Sequence, residues 1–485
     1  MRRLRLWCCL RLCTLQTFAN LFVASFLVYN VCVYVSRSSQ NEELRPTEAA
    51  SAVFNPRTLL APVVTQASVD ELPSVGRVPP AADRHDLEPT DVWQNVTFSV
   101  GKFFVFSAYF ERRMRPRFVR VIATGRVHLP STLRPLYCRL HFSNGSEATV
   151  RAQHRVIKEN WGLAYTARFV LCPTDEPPRA VSLFEKSADL GSRPVTVQDV
   201  QPSAARLGRF AVCVKPFHYE YNRAVWLVEF IEFHRLLGVS RFIFYNHTVG
   251  PDVERVLRFY QSRDLVTVLP WHIALRSQKE VRTENMFAAL NDCLYRTMYR
   301  YSYTALVDVD EYIVPRQHAD YGQLFDLLGG RGRETYGSYI FQNCFFYLYW
   351  ENDTAVAERL HLSPQQESQF PYLISLYKTR RVRTPHRFYS RSKYLVVPER
   401  VVEAGNHQVW EHAPGFRSMN VGEHFGLVHH FRICEFGGFD CMKKDSIVDR
   451  TTHRFIRPLA GQVLAVCDAI FGGNCPVAPP LGSPW

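Results

Sequence analysis

The chain has 485 residues, too long for a small disulfide-held scaffold and long enough for roughly two or three domains. A hydrophobic fraction of 47% against 21% charged residues excludes a disordered chain. The formal net charge of +13 invites a nucleic-acid partner, so where the charge sits decides what it means.

Four of the cations, Arg2, Arg3, Arg5 and Arg11, precede an uncharged run over residues 12–36. About 24 helical residues cross a ~30 Å hydrocarbon core. Glu42, Glu43 and Glu48 follow the run, so the positive-inside rule predicts a cytosolic tail (1–11), a single membrane-spanning signal anchor (12–36) and a lumenal body. A cleaved signal peptide is the alternative, but the run is long for one and lacks a small-x-small cleavage site. The remaining basic residues form no dense block, which removes the case for nucleic acid.

Cys8, Cys9, Cys13 and Cys32 belong to the tail and anchor. Nine cysteines follow (Cys138, Cys172, Cys213, Cys293, Cys344, Cys434, Cys441, Cys467 and Cys475), an odd number that leaves at least one unpaired within the chain. The last four, close together in loop-rich sequence, are expected to form disulfides, and Cys293, in a helical pattern, is expected to be a buried thiol. No C-x-x-C pair suggests a zinc site. Four glycosylation sequons, at Asn95, Asn144, Asn246 and Asn352, all follow the anchor.

Residues 37–90, rich in Pro, Ala and Ser without periodicity, read as a stem. Residues 91–205 read as an antiparallel β module, sandwich-like, with strands expected over 101–109, 118–124, 136–142, 164–171 and 180–184. Residues 206–485 begin a different pattern: strand 211–214, helix 223–237 ended by Gly238, strand 241–245, helix 252–262, strand 265–269, helix 283–300, then the strand 304–307. Such β-α alternation predicts a parallel sheet with ligands at the carboxyl ends of its strands.

Asp308 lies at one of those ends, in Leu306-Val307-Asp308-Val309-Asp310-Glu311-Tyr312. In extended backbone Asp308 and Asp310 would share a side. Clustered carboxylates repel unless a cation or strong donors compensate, and oxygen ligation favours Mn²⁺ or Mg²⁺ over zinc, with substrate phosphates completing the shell.

The blocks Glu229 to Val239 and Phe242 to Asn246, Leu290 to Arg296 with Leu306 to Pro315, Ser392 to Glu399, Gly405-Asn406-His407 and His429-His430-Phe431-Arg432 resemble glycosyltransferase family 92, in consistent order over about residues 209–450. The resemblance implies a GT-A fold and a Golgi type II membrane protein. It implies inverting transfer of galactose from UDP-galactose to a glycan on a glycoprotein, typically through a β1,4 linkage, with a Mn²⁺-type metal. Asp308 and Asp310 match the family's Asp-x-Asp and would hold metal and donor diphosphate. His429 or His430 would complete the metal site. Lys215, Arg223, Asn246, Lys393 and His407 are candidates for donor contacts, and Glu311 either orients the loop or touches the sugar. The acceptor hydroxyl must lose a proton to a carboxylate, for which Glu351, Asp353 and Glu423 stand open. The aromatic run 345–350 offers a stacking surface for an acceptor sugar, or a buried strand. The competing reading is a non-catalytic glycan-binding protein on a transferase-like fold, against which the intact acidic cluster argues.

Overall fold

The computed structural model describes residues 91–481 other than 99–100, 129–134, 186–190, 203, 331–333, 435–437 and 480. The expected tail, anchor and stem lie outside the described residues; among these, no helix is long and apolar enough to cross a membrane.

The N-terminal part contains β1 (Gln94–Phe98), β2 (Gly101–Glu111), β3 (Phe118–Arg126), β4 (Leu136–His141), β5 (Glu147–Arg151), β6 (Gln153–Val156), β7 (Tyr165–Pro173), β8 (Ala180–Glu185) and β9 (Val195–Gln198). They pair in the order β5-β4-β8-β9-β2-β3-β7-β6, with β1 also on β2. Pairing is antiparallel as expected, except for a short parallel contact between β9 and β2. The sheet doubles over on itself. Cys138 of β4 is bonded to Cys172 of β7, and Leu140, Leu183 and Val197 share one core with Phe103, Val105 and Val121.

Alternation along β2 shows how this part is attached. Phe103 and Val105 face the module's own core, whereas Phe104 and Phe106 face a second core with Trp271, Phe287 and Leu294. A strand buried on both faces has no reason to alternate with polar residues, hence the unbroken run 103–106. Across that interface, the buried Asp292 carboxylate accepts from Ser107 Oγ (2.5 Å), Tyr109 Oη (2.6 Å) and Tyr245 Oη (2.7 Å) and pairs with Arg296 (3.0 Å).

The second part runs β10 (Gly208–Val214), α1 (Ala224–Leu236), β11 (Val239–Asn246), α2 (Pro251–Gln261), β12 (Val266–Pro270), α3 (Met286–Thr297) and β13 (Tyr301–Val307), the expected alternation. Residues 283–285 make a 3₁₀ turn with Glu284 and Asn285 at positive φ, so the third helix starts three residues later than its apolar pattern suggests. Then follow β14 (Glu311–Pro315), α4 (Tyr321–Leu328), β15 (Tyr336–Phe341), β16 (Asn343–Tyr347), α5 (Ala355–Leu360), α6 (Pro364–Gln369), α7 (Ile374–Tyr377), β17 (Arg380–Val382), β18 (Lys393–Val396), β19 (Val401–Ala404), β20 (Val409–His412), β21 (Arg417–Val421), β22 (Gly426–Arg432), β23 (Ser446–Val448) and α8 (Ile456–Phe471).

The main sheet has the order β12-β11-β10-β13-β18-β15-β21, and a smaller sheet the order β14-β22-β16. The first four strands are parallel, and β18 is antiparallel to β13. From β10 the chain winds outward to β11 and β12, then α3 carries it back to β13 on the other side of β10. That reversal makes a switch point between β10 and β13, where the carboxyl ends leave a crevice. The mixed α/β class is therefore as expected.

Helix α1 is buried from Ala224 to His234, as a helix apolar nearly all round should be, and Gly238 at φ 94° ends it. The last four cysteines pair as expected, Cys434 with Cys441 and Cys467 with Cys475. Cys293 is not a thiol. Helix α3 crosses the face of β10 with the two Cα atoms 6.2 Å apart, and Cys293 is bonded to Cys213. Cys344 is the free, buried cysteine among the described residues.

Candidate active site

Strand β13 stops at Val307, and Asp308, Val309 and Asp310 form a tight turn in which Glu311 N–H donates to Asp308 O (3.1 Å). The two aspartates are therefore not neighbours on one side of an extended strand. Asp308 faces the end of β10, where Lys215 Nζ donates to its Oδ2 at 2.6 Å, and Lys393 Nζ, from the start of β18, approaches Oδ1 at 3.4 Å. Asp310 faces the smaller sheet, where His430 Nε2 lies 3.3 Å from its Oδ2.

Glu311, 1% exposed, joins these two halves. Its Oε2 accepts the Asp308 backbone N–H (3.0 Å) and pairs with Lys393 (3.0 Å), while Oε1 lies 3.2 Å from His430 Nδ1 and accepts from Asn343 Nδ2 at 3.3 Å. The register explains the meeting, since Glu311 pairs with His430, and His430 with Phe345 on the other side. Period two then sends His429 to the opposite face. It is fully buried against Phe346 (ring centroids 4.3 Å apart), and neither ring nitrogen has a hydrogen-bond partner. Burial pushes its pKa down to about 4, so it is neutral. Of the two histidines the sequence offers, His430 joins the cluster and His429 does not.

The charges are mutually compensated. Burial opposes ionisation of Asp308, but Lys215 and Lys393 outweigh it and hold the carboxyl well below the usual range. Burial likewise opposes the Lys393 ammonium, and Asp308 and Glu311 outweigh that too, raising its pKa. Burial and the neighbouring Lys393 lower Lys215 despite Asp308. His407 lies beside this group, its Nδ1 3.2 Å from Ser392 O and its Nε2 3.0 Å from Asn406 Nδ2, and Asn406 Oδ1 accepts from Lys393 at 3.2 Å. Burial, then Lys393 and Lys215, push His407 down to about 3. Burial and then the Asp310 charge raise the Tyr221 phenol well above its ordinary value.

Other sequence candidates have different partners. Asp353 is buried, accepting from Thr379 Oγ1 (2.6 Å) and Ala355 N–H (3.0 Å) and pairing with Arg450 (2.6 Å). Burial works against ionisation there, but these donors hold the carboxyl at about 2. Glu351 is exposed in irregular chain and Glu423 is exposed in a turn. Arg223 is buried, donates to Pro479 O at 2.7 Å and lies over Trp226. Asn246 ends β11 on the crevice side, half-buried, with its side-chain oxygen unbonded. The first half of the run, 345–347, is the buried end of β16, although Phe345 meets the His430 ring edge-on at 5.2 Å. Asn343 and Tyr221 carry no sequence signal of their own, whereas Asn406 lies within a recognised block.

Among the described residues no group of three or more His, Cys, Asp or Glu side chains is arranged to hold a metal ion alone. The donor set nevertheless suits one. Asp310, 35% exposed, and His430 offer an oxygen and an imidazole nitrogen side by side at the crevice mouth, a mixture that divalent manganese accepts.

Residues 208–457 match the model of glycosyltransferase family 92. The chain is 25% identical over 260 residues to the galactan beta-1,4-galactosyltransferase GALS1 of Arabidopsis thaliana, covering 48% of this chain and 51% of that protein. It is 27% identical over 109 residues to the beta-1,4-galactosyltransferase galt-1 of Caenorhabditis elegans, covering 22% and 25%. The chain thus spans about half the length of the first relative and a quarter of the second. Among solved structures, glucosyl-3-phosphoglycerate synthase from Mycobacterium tuberculosis, in complex with Mn²⁺, UDP-glucose and phosphoglyceric acid, aligns over 54% of this chain and 80% of that one, with 15% identity and a TM-score of 0.24. The family match covers more than half of the chain, from β10 through the His430 strand, and the chain belongs to glycosyltransferase family 92.

Proposed function

We propose that this glycosyltransferase moves galactose from UDP-galactose to a glycan acceptor, forming a β1,4 linkage with inversion, with a divalent cation (Mn²⁺ or Mg²⁺) held by Asp310 and His430. The observation that carries this reading is the meeting of Asp310 and His430 beside two lysines at the switch point of the sheet. The galactosyl and linkage assignments draw on the names of the two relatives. A GT-A assignment and a Golgi type II topology accompany them, with residues 12–36 as anchor.

A nucleoside diphosphate needs positive charge where negative charge develops on the leaving group. The bound cation would supply Lewis-acid stabilisation of that charge. Lys215 and Lys393 supply fixed ammonium groups, and Asp308 orients both. Tyr221, kept protonated by its surroundings, adds a hydroxyl donor near Asp310.

The test measures UDP release by the full-length protein in detergent, with UDP-galactose or UDP-glucose, a galactose-terminated oligosaccharide, and Mn²⁺ or chelator. Turnover is expected with UDP-galactose and Mn²⁺, and Asp310→Asn is expected to cut it by at least about a hundredfold, as loss of a charge-stabilising group does. Undiminished turnover in chelator would sink the cation, and preference for UDP-glucose would sink the donor assignment.

A further inference from the structure

The β module reaches the crevice through the segment after β6. Arg155 pairs with Glu403 (2.9 Å) and Glu411 (3.0 Å) on the β19–β20 hairpin, and Lys158 N–H donates to Glu403 Oε1 at 2.7 Å. Beyond it, Glu159 Oε2 accepts the Asn406 backbone N–H (2.9 Å) and the Trp410 indole N–H (3.0 Å), and Glu159 Oε1 accepts the Trp161 indole N–H at 3.2 Å. Asn406 in turn accepts from Lys393, which pairs with Asp308. One carboxylate thus carries two indoles and sits two hydrogen bonds from the lysine at the centre of the cluster.

Both indoles face solvent, Trp161 at 56% exposure and Trp410 at 37%. Trp161 sits at φ 59°, a left-handed conformation that bulky residues rarely adopt. Arg282 lies over its ring at 4.3 Å. At Gly405 there is no room for a side chain, since a Cβ would meet Trp410 Nε1 at 2.4 Å and Glu159 Oε2 at 2.7 Å. Folding alone does not call for two exposed, tethered tryptophans, one of them on strained backbone. Their chemistry matches a pyranose, whose C–H face packs on an indole while its hydroxyls bond to a carboxylate.

We propose that Trp161, Trp410 and Glu159 form a subsite for a sugar ring of the acceptor glycan, at a distance from the point of transfer. This rests on the glycosyl-transfer reading. The acceptor is the fitting occupant because the subsite is continuous with the Asp308 cluster through Asn406 and Lys393, while the donor's diphosphate belongs at the lysines themselves. The β module thereby acts in acceptor selection.

The experiment uses the full-length protein in detergent with UDP-galactose, Mn²⁺ and a titrated galactose-terminated oligosaccharide. Trp161→Ala and Trp410→Ala are each expected to raise the acceptor KM about tenfold, the scale of an aromatic stacking contact, with the loss in KM and not in kcat. Gly405→Ala, which pushes Trp410 aside, moves KM the same way. Unchanged acceptor KM in both tryptophan variants, or a loss confined to kcat, overturns the proposal while leaving transfer itself intact. Should the wild type show no turnover, tryptophan fluorescence titrated with the same oligosaccharide decides separately. A saturable shift lost in Trp161→Ala supports the subsite, and no shift in the wild type overturns it.

Discussion

With Oε2 on the Asp308 amide and Lys393, and Oε1 on His430 and Asn343, Glu311 spans both halves of the cluster. With a cation held as proposed, the Glu311 carboxylate on Nδ1 would keep a proton on that nitrogen and leave Nε2, 3.3 Å from Asp310 Oδ2, to face the ion. Glu311→Gln keeps the size but loses the charge. It is expected to weaken Mn²⁺ binding roughly 10–100-fold, read by titration of the ion without any donor, in a variant whose circular dichroism shows it folded. Unchanged affinity would make Glu311 a packing residue only. Asp308 and Lys215 were legible in the sequence because each follows a short apolar run, and Lys393 because it lies in a block that resembles the family. Glu311 was open to a loop-orienting role, which its bond to the Asp308 amide matches, but its reach to His430 was not legible, because it depends on the β14–β22 register, which joins residues more than a hundred positions apart. The Arg450 partner of Asp353, a candidate base in the sequence, was hidden for the same reason, since it lies far along the chain.

At the scale of elements, α1 carries the buried carboxylate of Glu229. Glu229 accepts the N–H groups of Ile374 (2.8 Å) and Ser375 (2.7 Å) at the start of α7. Burial outweighs those bonds and raises its pKa to about 7. The phenols around it, Tyr221, Tyr312 and Tyr372, are themselves raised by burial and stay neutral through this range. Between the ordinary glutamate pKa and about 7 the folded chain binds more protons than the unfolded one, so this contribution to stability is complete below that window and is lost as pH rises through it. The melting temperature is therefore expected to fall from pH 5 to 7.5 in the wild type, and to fall less in Glu229→Gln. Parallel curves for the two would exclude Glu229 as the cause. The β-α alternation that places α1 was visible as periodicity. The Cys213–Cys293 bond was not, because it requires knowing that α3 crosses β10.

For the whole molecule, the composition change near residue 205 marks two parts, yet the described residues of both belong to one compact unit. Phe104 and Phe106 pack against Trp271, Phe287 and Leu294. Sequence marked 101–109 as a strand but not that its two faces serve different cores. Removing the module would expose a contiguous apolar surface, which marks an aggregation-prone chain. Residues 206–485 expressed alone are expected to be insoluble or to bind a hydrophobic dye strongly, whereas residues 91–485 are expected to be monodisperse. A monodisperse, cooperatively melting 206–485 fragment would show that the shared core is dispensable.

The lysine clasp on Asp308 has a bearing on turnover. Lys215 and Lys393 already have an anionic partner, so an arriving diphosphate would not meet bare cations but would compete for them. Each new contact is made at the expense of an old one, and the net gain from association is smaller than the number of contacts suggests. The same exchange run backwards helps the spent nucleotide depart. On the proposed reading, when the nucleotide leaves, Asp308 is at hand to take back both ammonium groups, so the crevice lysines are not left unpaired. On the proposed reading, such a clasp would trade tight grip for quick renewal.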